Sequence, residues 1–307
     1  MFISKLSKKQ ALLFFALTYI VAFIVGWIVQ YILFGPNSPL WMKSLILDVV
    51  ATIVIWVVGL VIKNQSIYDP YWSVFPPVLL GYWMIVQKIS ISFLNLLLFI
   101  SVLVWSVRLT YNFVINFSGF KYQDWRYVML KARKPRLWFF TNLFGINMMP
   151  TLIVFIQMLS LLQVIGYTGK VSFIFIIGVF ISLGAAILQY ISDKQMRSFR
   201  LLHSAQKACM REGLWAYSRH PNYFGEVSFW WGLWVMYIGI TGNFDFYLVS
   251  PILMTLLFIL ISIPMMEKKI LSTRPEYKDI QNEISGFIPT FWRKQKQGES
   301  VLNEQSF

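Results

Sequence analysis

Residues 213–226 read GLWAYSRHPNYFGE, and the apolar run VSFWWGLWVMYIGI follows at 227–240. Arg219 and His220 stand directly before Pro221, and Asn222, Tyr223 and Glu226 come after it. Proline suits the first position of a helix, because its fixed φ is already helical and its missing N–H has no partner to lose there. The spacing therefore predicts a helix that starts at Pro221 and runs on into the apolar stretch. The free N–H groups and positive dipole end of that helix then lie beside Arg219 and His220, a combination suited to phosphate or carboxylate. Read alone, Arg219 is equally well a basic residue flanking a membrane span. The constellation as a whole reads better as a site.

The surroundings point to a membrane. The 307 residues are 57% hydrophobic and 13% charged, and apolar runs of about 20 residues recur along the chain, as bilayer-crossing helices require. We expect an all-α, polytopic helix bundle of about eight spans, near 11–34, 42–62, 73–87, 91–114, 143–165, 171–191, 223–241 and 246–265. Pro76 and Pro77 are expected to kink or interrupt the third. The first run follows Lys5, Lys8 and Lys9 like a signal peptide, but it is too long for one and lacks a small-x-small cleavage site. We expect three regions: an extra N-terminal span over 1–40, a membrane domain over 41–297 and a disordered polar tail over 298–307.

Charge sets the expected orientation. With eight spans, 23 of the 27 Lys and Arg residues fall on the side of the termini; Lys43, Lys88 and Lys170 fall on the other, and Arg108 lies within a span. This asymmetry predicts cytoplasmic termini in a cell-membrane protein. It also makes a nucleic-acid partner a poor explanation of the net charge of +14, because the cations sit in short loops between spans. One cysteine and two histidines leave no disulfide framework and no expected metal centre.

The polar, aromatic-rich stretches fall on that same side. Asp69, in IYDPYWS between Tyr68 and Tyr71, could polarise a carbonyl or pass a proton, or it is a turn residue in an interfacial aromatic belt. Arg108, in WSVRLTYN, either faces a polar interior or snorkels to the interface. Asp193, Arg197 and Arg200 lie at i, i+4 and i+7 on one helix face. An acid with two guanidinium groups suits a ribose hydroxyl or amide plus phosphates, whereas an intrahelical ion pair is the plain alternative. Glu226, one turn into the helix from Asn222, needs hydrogen-bonding partners if buried.

These pieces together, YDPYWS, WSVRLTYN, YQDWRY, SDKQMRSFR, GLWAYSRHPNYFGE with WWG, and EYKDIQNEISGFIPTFW, resemble the steroid 5α-reductase-like superfamily over residues 67–292. The match is to its bacterial membrane branch. Isoprenylcysteine and phospholipid methyltransferases share a similar architecture and the RHP element. The resemblance implies a helical bundle that binds NADPH from the cytoplasm and reduces a carbon–carbon double bond conjugated to a ketone. It implies that Asp193, Arg197 and Arg200 hold the nucleotide, that Asn222 and Glu226 contact it, and that Arg219 and His220 complete the phosphate pocket. Tyr217, Tyr223 and Arg108 would line that pocket, and Asp69 with Tyr68 or Tyr71 would supply the acid.

We therefore expect a reductase of a hydrophobic, bilayer-dissolved substrate such as an enone, steroid or isoprenoid. A methyltransferase using S-adenosylmethionine is the alternative. Its cofactor carries no phosphate, and the arginines favour a polyanion. A non-enzymatic membrane protein such as a transporter is a further alternative; the polar groups, crowded on one face, disfavour it.

Overall fold

The computed structural model describes residues 6–203 and 208–291. The tail at 298–307 lies outside them, as do Lys5, Lys207, Arg293, Lys294 and Lys296. The described residues form helices joined by turns, with no strand among them. In chain order they are α1 (Lys8–Leu33), α2 (Leu40–Val61), α3 (Tyr71–Val86), α4 (Phe93–Asn116), α5 (Trp125–Arg133), α6 (Pro135–Val164), α7 (Phe173–Leu202), α8 (Pro221–Thr241), α9 (Phe246–Leu271) and α10 (Tyr277–Glu283). The starts follow local chemistry. Ser7 and Gln10 form a reciprocal capping box on α1, and Ser92 and Asp124 accept backbone N–H groups at the starts of α4 and α5.

Six of these helices, α1, α2, α4, α6, α7 and α9, are long and apolar enough to cross a membrane. This is the architecture of a membrane protein, and all-α as expected. The two other expected spans are also helical, α3 over 16 residues and α8 over 21. Of the kink or interruption expected at Pro76 and Pro77, the interruption does not occur: α3 runs through both. Each lacks an N–H, so two backbone hydrogen bonds of the helix are forgone. In α6 and α9, wider i→i+5 turns occupy Thr141–Met148 and Leu257–Ser262.

The chain divides into two compact units, one of residues 1–175 and 237–247, the other of 176–236 and 248–307. In the first, α2 packs on α1 and α6, and α3 packs on α4 and α6. A Cβ at Gly26 of α1 would stand 2.4 Å from the Leu47 carbonyl oxygen of α2, so only glycine permits that approach. One face of α2 is polar and buried, with Ser44, Asp48 and Thr52 recurring every four residues. In the second unit α7 and α8 run antiparallel in close contact. A Cβ at Gly178 would meet the Met236 backbone nitrogen at 2.6 Å, and one at Gly232 would meet the Ser182 nitrogen at 2.8 Å. Small residues bring these two helix backbones together where lipid offers no hydrophobic drive.

Candidate functional site

In the second unit the helix predicted from Pro221 begins there. The loop before it is pinned on one side to α7. Gln195 Oε1 accepts the Leu214 N–H at 3.0 Å, and Trp215 Nε1 donates to the Ser192 carbonyl at 3.1 Å. Gly213 adopts φ +58°, and a Cβ there would collide with the Gln195 amide. On its other side the loop is laced to the segment after α10. Arg219 N–H donates to Ser285 O at 2.8 Å, Ser218 Oγ to Phe287 O at 2.8 Å, and Thr290 N–H to Tyr217 O at 2.9 Å.

The α7–α8 contact brings several of the nominated residues together. Asn222 Nδ2 donates to Asp193 Oδ1 at 3.4 Å. One turn further along both helices, Gln189 Nε2 donates to Glu226 Oε2 at 2.9 Å, and Trp230 Nε1 donates to Oε1 at 3.1 Å. Glu226, buried to 4% exposure, thus has the partners its burial demands. Arg197 and Arg200 continue the Asp193 face of α7, the first half-buried and the second exposed.

Arg219, His220 and Tyr223 turn elsewhere. Arg219 Nε donates to Glu267 Oε1 at 2.7 Å, and Nη1 donates to the Gln281 and Ile284 carbonyls at 3.0 and 2.6 Å. His220 Nε2 lies 3.1 Å from the same Glu267 oxygen, Gln281 Nε2 donates to Glu267 Oε2 at 2.7 Å, and the Tyr277 hydroxyl is within reach at 3.4 Å. Burial and the Glu267 charge push the Tyr277 phenol pKa up. Tyr223 stacks on His220 and packs against Phe258 of α9, and Tyr217 packs on Phe291. Glu267 is therefore the centre of a cluster that ties α8, α9 and α10 together. It is not singled out in the sequence analysis. The signal was a lone acid at the end of the last apolar run.

The other nominated residues belong to the first unit. The stretches IYDPYWS and YQDWRY, far apart in sequence, meet there. Asn64 Nδ2 donates to the Tyr122 and Phe120 carbonyls at 2.6 and 3.1 Å, and the Asp124 N–H donates to Ser66 Oγ at 3.0 Å. Arg126 grips Asp124 with Nε and Nη2, both at 2.9 Å. Asp69 accepts a hydrogen bond from Tyr127 rather than from its neighbours Tyr68 or Tyr71. Burial pushes its carboxyl up to about 7; Arg126 pulls against this and Asp124 adds to it. Tyr68 instead shares a hydrogen bond with Thr151, and Tyr71 donates to Asp48. Arg108 is buried on α4, one turn beyond the fully buried Trp105.

Residues 55–284, most of the chain, match the family described as "Protein of unknown function (DUF1295)". The chain belongs to this family. DUF1295 proteins are related to the steroid 5α-reductase-like membrane proteins. The match begins within α2, so α1 lies outside it. No curated protein and no solved structure matches the chain.

Proposed function

We propose that this protein is a membrane-embedded, NADPH-dependent reductase of a carbon–carbon double bond in a lipid-like enone. The observation that carries the reading is the Asp193–Asn222 contact, which joins the acid of the α7 face to the amide at the start of α8. The donor set fits a dinucleotide. Arg197 and Arg200 offer two guanidiniums to phosphates, Asp193 offers an acceptor to a hydroxyl, and Asn222 offers an amide to the nicotinamide carboxamide. Arg219 and His220 are engaged by Glu267. Their contribution is to fix the loop and the first turn of α8, whose positive dipole end then adds to the anion-binding field. Glu226 sets the register of α8 against α7.

NADPH, when bound, supplies a hydride. The chain's own acid is Asp69. Its carboxyl is poised near neutrality, as a general acid working at physiological pH should be. Tyr127 orients it, in the role first given to Tyr68 or Tyr71. The substrate dissolves in the bilayer and enters between spans, while the one-sided distribution of Lys and Arg favours a cofactor site facing the cytoplasm of a cell-membrane protein.

The test is a comparison of thermal shifts of the full chain in mild detergent with NADPH, NADH and S-adenosylmethionine, together with mass spectrometry of nucleotide released on denaturation. Stabilisation by NADPH beyond NADH supports the reductase. Stabilisation by S-adenosylmethionine alone transfers the site to a methyltransferase and removes the role of Asp69.

A further inference from the structure

Residues 131–140, KARKPRLWFF, turn the corner from α5 into α6 and take no part in either group of nominated residues. Four of the six residues 131–136 are cations: Lys131, Arg133, Lys134 and Arg136, all exposed. Asp124 is the only acid in the sequence between Asp69 and Asp193, and Arg126 already holds it. Among the described residues, none of the four corner cations has a carboxylate partner. Helix chemistry accounts for part of this pattern. Lys131 and Arg133 lie in the last turn of α5, where a cation offsets the negative dipole end. Lys134 and Arg136 lie beyond that turn. Topology asks only that cations stand on one side of a membrane. It does not ask that four crowd into six residues, where each repels the others.

The apolar side of the corner is equally marked. α6 is among the helices long and apolar enough to cross a membrane. Leu137, Phe140 and Phe144 follow the cations at i, i+3 and i+7, so they share a face, and each is about half exposed. That stripe starts one residue past Arg136 and runs into the span. The corner itself is braced. Lys134 N–H donates to Leu130 O at 3.3 Å, Leu137 N–H donates to Lys134 O at 3.1 Å, and Lys131 Nζ lies 5.8 Å from the centre of the Trp138 ring.

We infer that the α5–α6 corner is a binding site for an acidic phospholipid, with the headgroup on Lys131, Arg133, Lys134 and Arg136 and an acyl chain along Leu137, Phe140 and Phe144. Charge complementarity selects the headgroup. Each such cation strengthens attachment to an anionic leaflet by roughly fivefold. A zwitterionic lipid offers the same phosphate but cancels it with its own ammonium, and a free phosphate brings no chain for the apolar stripe. α5 also carries Tyr127, which donates to Asp69. A lipid that holds the far end of α5 steadies that hydrogen bond. This consequence rests on the reductase reading; the lipid site itself does not.

The experiment is native mass spectrometry and thermal unfolding of the full chain in nonionic detergent, with phosphatidylglycerol, phosphatidylcholine of the same acyl chains, or inorganic phosphate added. Phosphatidylglycerol should stay bound and raise the melting temperature, and the other two should do neither. Lys131→Gln, Arg133→Gln, Lys134→Gln and Arg136→Gln combined should weaken phosphatidylglycerol by about tenfold or more. Lys9→Gln, Lys63→Gln, Lys268→Gln and Lys278→Gln combined remove the same charge from exposed positions elsewhere, and should weaken it by less than about threefold, because distant exposed charges are screened. If the first variant does not fold, Lys134→Gln with Arg136→Gln takes its place, with a loss of about fivefold or more expected. No retained phosphatidylglycerol, equal stabilisation by phosphatidylcholine or inorganic phosphate, or equal losses in the corner and control variants would overturn the site. The NADPH thermal shift on the same samples reads the reductase proposal separately.

Discussion

The Arg219 guanidinium, in the loop before α8, donates from Nε to the Glu267 carboxylate of α9 at 2.7 Å, with both side chains about one-eighth exposed. Removing one member of such a pair leaves the other charge buried, which typically costs about 3–5 kcal/mol. Glu267→Gln should therefore lower the melting temperature by several degrees. Because the loop also carries Tyr217 and leads into Asn222, nucleotide binding should weaken with it. Combining Arg219→Gln with Glu267→Gln should recover part of the lost stability, since neither charge is then stranded. A thermal-unfolding cycle in detergent checks this. Strict additivity of the two losses would show that the residues do not act as a pair.

Arg197 and Arg200 are assigned to phosphates. Arg197→Ala or Arg200→Ala should weaken NADPH by about 10- to 100-fold, the range for a lost charge-assisted hydrogen bond of about 1.5–3 kcal/mol, and weaken NADH less. Titration of both nucleotides against each variant decides it. Equal losses would remove the 2′-phosphate from the assignment.

Asp69 carries a pH signature. Its carboxyl lies near 7 when folded, against 3.8 without the fold. Between those values the folded state holds a proton that the unfolded state releases, so the Asp69 contribution to stability falls as pH rises through that window. Asp69→Asn cannot ionise. Its melting temperature should drop less between pH 5 and pH 8 than that of the wild type. Its turnover should fall sharply with little change in NADPH affinity. Unaltered turnover would move the acid elsewhere.

Two glycines of α7 make a matched pair. A Cβ at Gly178 meets backbone atoms of α8 at 2.6–2.8 Å, whereas one at Gly184 meets nothing within 4 Å. Gly178→Ala should force α7 and α8 apart, lower the melting temperature and loosen the Asp193–Asn222 contact. Gly184→Ala should be neutral, or stabilising by up to about 1 kcal/mol, from helix propensity alone. Parallel melting curves with and without NADPH distinguish the two.

What could be read from the chain alone was local or compositional. Apolar run lengths dictate helices in a membrane, because a bilayer leaves the backbone no other partner than itself. The Pro221 start follows from φ and a missing N–H, and the shared face of Asp193, Arg197 and Arg200 from the 3.6-residue repeat. The partners of the polar side chains were not legible in this way. Glu267 lies 48 residues from Arg219, Tyr127 lies 58 from Asp69, and Tyr71 lies 23 from Asp48. Nothing in the spacing of those residues links them, since each pair is made by how separate elements pack. Even Tyr68, Asp69 and Tyr71, neighbours in one motif, turn to three different partners, Thr151, Tyr127 and Asp48. A turn points successive side chains in different directions, and only the packed bundle decides what each one meets.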